Sequence, residues 1–131
     1  MVVIGTTDNQ NEIFTHVDDN DNVIGPISRK EAHEDKNIIH RSVGIFLVNP
    51  KREILFQQRS LTKDKDPGYW SYSVSGHVIF NDEYIVTARR ELFEELGIKA
   101  ELKFLTKSVI KMNTETEFTA FLKLNLQPIP T

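Results

Sequence analysis

Three glutamates near one another in the sequence, Glu91, Glu94 and Glu95, are the residues of this chain best suited to chemistry. They fall in a segment, Asp82 to Leu96, that the spacing predicts to be helical. Asn81 or Asp82 offers an N-cap, acids occupy the first turn, and Gly97 follows as the stop with Ile98 as its apolar partner. At about 100° per residue, Ile85, Ala88, Leu92 and Leu96 form one apolar stripe, and the glutamates lie beside it. Carboxylates that close destabilise a helix by roughly a few tenths of a kcal/mol per pair. Only Arg90, four residues before Glu94, offers a helical counter-ion. Two readings stay open. One is a solvated acidic face, the commoner fate of such clusters. The other is a hard-cation site, since Mg²⁺ takes carboxylate oxygens and leaves positions for water and a phosphate.

What precedes the glutamates favours the second reading. Gly76, Asp82, Arg90-Glu91-Leu92, Glu94-Glu95 and Gly97-Ile98 stand at fixed intervals over residues 76–98. The arrangement resembles the Nudix box, G-x5-E-x7-R-E-U-x-E-E-x-G-U with U aliphatic, and departs from it only where Asp82 stands for the usual Glu. The resemblance implies an α+β fold, the Nudix-type α/β/α sandwich with a mixed central sheet, and cleavage of a diphosphate linked to another moiety with Mg²⁺ or Mn²⁺. It makes Glu94 and Glu95 metal ligands and Glu91 a further ligand or the base. It has Arg90 orient the carboxylates by pairing with Asp82, or with Glu83 because Asp82 is a methylene shorter.

Those carboxylates need a frame. At 131 residues, with 39% apolar and 27% charged residues, the chain reads as a single domain over residues 1–131. A net charge of −3 gives no electrostatic case for bulk nucleic acid, while a small phosphorylated substrate needs only local cations. Without cysteine there is neither a disulfide framework nor a thiolate zinc site. No leader-like start and no run of about 18 apolar residues is present, so no membrane is expected and the cytoplasm is the expected location.

Met1 to Asn11 has little to bury after Val2-Val3-Ile4 and reads as loose. A β-hairpin is predicted over about residues 12–27, turning at Asp18-Asp19-Asn20-Asp21-Asn22, which lacks the spacing of a calcium loop. Ser28-Arg29-Lys30-Glu31 is a capping box opening a short helix to about Glu34. Ile38 to Val48 reads as a strand turned back by Asn49-Pro50-Lys51-Arg52 into Ile54 to Arg59. A loop to Trp70 and a strand Ser71 to Ser75 lead into Gly76. After the motif helix come two strands, Ala100 to Met112 and Glu115 to Leu126, around Asn113-Thr114. No closing helix is evident beyond them. That leaves one sheet face bare, covered by a second copy in a homodimer, or deprived of its cover by truncation.

A narrower resemblance runs over most of the chain. Asp18 to Gly25, His40-Arg41, Gln58-Arg59-Ser60, Lys63, Pro67-Gly68-Tyr69-Trp70 and Ser73-Val74-Ser75-Gly76-His77 resemble the isopentenyl-diphosphate isomerase-like branch of the Nudix superfamily. That branch implies a second metal set, His33, His40 and His77 with Glu115 and Glu117. It also implies diphosphate binding by Arg59 and Lys63, with Trp70 and Gly76 completing the substrate-binding residues. Tyr69 and Trp70 could stack on a nucleobase, although for Trp70 packing under its loop is the commoner arrangement.

Two departures separate this chain from the isomerases. Ser75 stands where they carry the cysteine that moves a proton, and a hydroxyl is a far weaker acid than a thiol. The helix carboxylates, eroded in the isomerases, are all present here. Hydrolysis of a nucleoside di- or triphosphate or related diphosphate is therefore the expected activity. Isomerisation and a non-catalytic nucleotide-binding or regulatory role are the alternatives.

Overall fold

The computed structural model describes residues 9–63 and 68–128. Most of the segment expected to be loose at the start of the chain lies outside them.

The N-terminal hairpin forms as its turn chemistry dictates. β1 (Ile13–Val17) and β2 (Val23–Ser28) are antiparallel. Asp18 shapes the turn by accepting the backbone N–H groups of Asn20 and Asn22, each at 2.9 Å. Ser28 then caps α1 (Arg29–Glu34), its Oγ accepting the Glu31 N–H at 3.1 Å. β3 (Ile39–Val48) is the central strand.

The strand expected from Ile54 to Arg59 is reduced to a bridge between Ile54 and Val48 and a two-residue β4 (Gln57–Gln58). The cause is Ser73, whose Oγ accepts the Leu47 N–H at 2.8 Å and donates to the Leu55 carbonyl. A side chain thus wedges into the ladder. β4 pairs instead with β5 (Trp70–Ser71), a ribbon separate from the main sheet. The strand expected over Ser71 to Ser75 is accordingly divided between β5 and β6 (Val74–His77).

α2 (Tyr84–Leu96) starts two residues later than expected. Its N-cap is Glu83, with no side-chain cap bond and no acid in the first turn. Asp82 is engaged elsewhere, and Asn81 takes a left-handed φ of 78° in the turn before the helix. The C-terminal stop is as expected: Gly97, at φ 69°, donates its N–H to the Phe93 carbonyl. β7 (Lys103–Lys111) and β8 (Thr116–Asn125) close the sheet.

The main sheet runs β2-β1-β3-β8-β7, with β6 beside β3. It is mixed, because β3 and β8 are parallel and the other pairs antiparallel. Alternation sends Val43, Ile45 and Leu47 of β3 and Ala120, Leu122 and Leu124 of β8 to one face, where they bury against Ala88 and Leu92 of α2. Of the predicted stripe, Leu96 stays 37% exposed at the helix end. The opposite face of β3 presents His40, Ser42, Gly44 and Phe46, and no helix follows β8 among the described residues. Nor is any described helix long and apolar enough to cross a membrane. This is an α+β fold with a mixed central sheet.

One polar cluster ties the frame together. Asp21, 5% exposed, accepts from Arg41 Nε at 2.7 Å, Lys107 Nζ at 2.7 Å and the Tyr84 hydroxyl at 2.8 Å. Burial alone would raise its pKa, but hydrogen bonds from Lys107, Arg41 and Tyr84 outweigh that and hold it below the ordinary value. A carboxyl lowered by folding adds stability above its unfolded pKa, about 4, and that stability is lost as pH falls through the folded value. Asp21→Asn is expected to lose roughly 2–3 kcal/mol at pH 7, less than a fully buried pair because Lys107 is 40% exposed. The gap from wild type should narrow as pH falls through the folded value. Denaturant titrations at neutral and acidic pH check this.

Candidate functional site

The five residues expected to form a second metal set arrive from separate segments and meet. His33 comes from the last turn of α1, His40 from the start of β3, and His77 from the end of β6. Glu115 immediately precedes β8 and Glu117 lies in it, opposite His40 in the parallel register. His33 Nε2 is 2.6 Å from Glu115 Oε2, and His40 Nε2 is 3.8 Å from both Glu115 Oε2 and Glu117 Oε1. His77 Nε2 is 3.7 Å from Glu117 Oε1. One ligand atom from each of His33, His40, His77 and Glu115 falls within 4.8 Å of the others. Phe14 supports the rings from below, stacked on His77 at 4.3 Å and on His40 at 5.2 Å.

Does this set fit a cation? His40 is fully buried, and neither ring nitrogen has a hydrogen-bond partner among the described residues. Burial pushes its pKa down to about 4, with the charges of Glu117 and Glu115 opposing, so the ring is neutral at neutral pH. A buried imidazole with two unsatisfied nitrogens is costly. A divalent ion taking nitrogen and oxygen donors removes that cost, so the set fits one.

The helix glutamates are arranged more loosely. Glu91 and Glu95 bond each other. Burial first, then that contact and the Glu91 charge, raise Glu95 well above the carboxylate range, and burial raises Glu91 too. Glu95 Oε2 is buried without a partner among the described residues, while the Gln57 amide nitrogen, in the orientation that satisfies both groups, donates to Glu95 Oε1 at 2.9 Å. Glu94 stands 58% exposed, 3.9 Å from Arg90 Nε. Arg90 Nη1 reaches Asp82 Oδ2 at 2.6 Å, so the shorter acid suffices for that pair. Gly76 lies under Glu91 so closely that a Cβ there would sit 2.5 Å from Glu91 Cδ.

Both groups open onto one cavity of about 1040 Å³. Glu91, Glu94, Glu95 and Arg90 line it, as do His33, His77, Glu115 and Glu117. Arg59, Lys63, Trp70 and Gly76 also line it, and His40 stands behind the wall. Trp70 does not pack under its loop: the β4–β5 ribbon is separate from the sheet and leaves it 68% exposed, with Tyr69 67% exposed.

Residues 38–126 match the family model of the NUDIX domain. The chain belongs to the Nudix family. It is 41% identical over 93 residues to isopentenyl-diphosphate Delta-isomerase 1 of Photorhabdus laumondii, covering 70% of this chain and 53% of that protein. It is 38% identical over 103 residues to the human isopentenyl-diphosphate delta-isomerase 2, covering 69% of this chain and 45% of that protein. The chain thus spans about half the length of these relatives. Among solved structures, DR0079 from Deinococcus radiodurans superposes with a TM-score of 0.74 at 26% identity, over 91% of this chain and 75% of the other. A MutT protein from Methanosarcina mazei shares the fold, with a TM-score of 0.62 at 19% identity, over 73% and 69%.

Some site residues escaped the sequence reading. Arg29 was legible only as part of a capping box, yet it is buried, lines the Nudix cavity, and puts Nη1 3.5 Å from His77 Nδ1 and 3.3 Å from Glu12 Oε1. Its spacing of four from His33 on one helix was the available signal. Gln57 gave no signal at all, because its partner Glu95 lies across the fold.

Proposed function

We propose that this chain is a divalent-metal-dependent Nudix hydrolase that cleaves the diphosphate linkage of a nucleoside di- or triphosphate or a related diphosphate in the cytoplasm. The observation that carries the reading is the shared cavity. Glutamates of the Nudix helix, a histidine-glutamate cluster and the cations Arg59 and Lys63 all face the same space.

The chemistry divides as follows. Mg²⁺ or Mn²⁺ when bound neutralises phosphate charge and lowers the pKa of water, which is otherwise too weak a nucleophile toward an anion. Glu91, Glu94 and Glu95, and separately His33, His40, His77 and Glu115 with Glu117 nearby, are the groups that would hold such ions. Arg59 forks to phosphate oxygens and Lys63 adds a point charge. Arg90, fixed by Asp82, steadies Glu94 from the adjacent turn. Glu91, raised by burial, is suited to accept a proton, and Glu115 or Glu117 could serve instead.

The second reading is isomerisation, favoured by relatives that carry that name. Against it, Ser75 lines the cavity at the position of the isomerase thiol. The purified protein, given nucleotide and isoprenoid diphosphates with Mg²⁺ or Mn²⁺, should release phosphate or a nucleotide product and form no dimethylallyl diphosphate from isopentenyl diphosphate. Isomer formation without hydrolysis would reverse the assignment.

Metal binding gives a test independent of turnover. Mn²⁺ at 100 times its Kd should stabilise the wild type by about 2.7 kcal/mol. Thermal unfolding should show most of that gain lost in Glu115→Gln. An unchanged gain would remove Glu115 from the ligands.

A further inference from the structure

The cavity floor beside the histidine cluster holds a residue with no role so far. Tyr72 follows β5, and its ring is fixed from three directions. Phe46 meets it edge-on at 5.4 Å and 77°, and Phe121 at 5.4 Å and 85°. Beneath it, Gly44 leaves the space the ring needs, for a Cβ there would approach Tyr72 Cδ2 to 2.8 Å. Two aromatic contacts and a close backbone leave the ring little freedom to swing away.

Tyr72 lines the cavity among polar groups. Ser42 Oγ and Thr119 Oγ1 bond each other at 2.8 Å, and Ser75 lies opposite Gly44 in the β3–β6 pair. All three line the cavity with Tyr72, whereas Phe46 and Phe121 only buttress its ring. The Glu117 charge is near enough to act on the phenol. No described side chain hydrogen-bonds the Tyr72 hydroxyl. A ligand seated here must either bond that hydroxyl or strip it of water with nothing in return. A site built to hydrogen-bond its ligand discriminates strongly against an analogue that cannot.

We propose that Tyr72 is a specificity-determining residue, whose hydroxyl selects diphosphates bearing a hydroxylated, sugar-like moiety over those bearing a hydrocarbon chain. This rests on the diphosphate reading of the site and narrows its substrate class. Tyr72→Phe removes the hydroxyl and keeps the ring packing.

The test uses ADP-ribose and geranyl diphosphate as probes, each titrated with Mg²⁺ present. Calorimetry and the fluorescence of Trp70, the one tryptophan of the chain, report binding from the cavity rim. The wild type should prefer ADP-ribose. In Tyr72→Phe that affinity should fall about tenfold while geranyl diphosphate changes less than twofold. Gly44→Ala, which must displace the ring, should show the same selective loss, with thermal unfolding confirming that each variant is folded. Equal changes for both probes, no change in either, or failure of both to bind the wild type would overturn the proposal. Phosphate release is scored on parallel samples. Selective binding without hydrolysis would remove the hydrolase reading and leave the role of Tyr72 intact.

Discussion

Glu95→Gln should reduce hydrolysis by about 10²–10³-fold while the protein remains folded, and Glu94→Gln should behave alike. Glu95 is held by Glu91, Gln57 and the backbone of Ser75, yet one of its oxygens is buried without a partner among the described residues. A carboxyl group so placed is suited to a ligand that the described residues do not supply. Replacing it by an amide keeps the shape and removes both the charge and a metal-ligating oxygen. Without metal, Glu95 holds a proton at neutral pH and donates it to Glu91, a bond the glutamine amide can also make, so the metal-free variant should be about as stable as the wild type. Steady-state kinetics with Mg²⁺ beside thermal melts would check both halves. Wild-type turnover in both variants would take these carboxylates out of the reaction.

Gly76→Ala should be nearly as damaging through one methyl group. The added Cβ would lie 2.5 Å from Glu91 Cδ and 2.8 Å from its Oε1, so the carboxylate must move. A displacement of about 1 Å at a catalytic centre can lower the rate about 10²-fold. The strand should survive, since Gly76 has an ordinary backbone conformation and pairs with Val43 in a regular ladder. Turnover within threefold of wild type, with circular dichroism unchanged, would mean that Glu91 needs no fixed position.

These two positions mark how far the sequence could be read. The helix, its Gly97 stop and the capping box at Ser28 were legible because their signals are local, a period of 3.6 and a residue three positions away. The role of Gly76 against Glu91 was not, because it depends on a helix packing over a strand fifteen positions earlier. The start of α2 was misjudged for a similar reason: Asp82 resembles a cap, but Arg90 competes for it two turns on. The histidine cluster was foreseen only through a family resemblance, since no periodicity joins His33, His40, His77 and Glu115. Asp21 looked like one more turn residue. Its bonds to Arg41, Tyr84 and Lys107 span most of the chain and leave no local trace.

The parallel pairing of β3 with β8 also governs the order of events when the chain folds. Partners such as Ser42 and Thr119 are 77 positions apart, so the middle of the sheet closes a very long loop. Such topologies fold slowly, because entropy is lost before the distant contacts form. On a ribosome, the N-terminal hairpin and then the motif helix would emerge before β8. His40 would stay without its glutamates until β8 had cleared the exit tunnel. The central strand would then have one edge open for much of synthesis, a period when pairing with another nascent chain competes with the native partner.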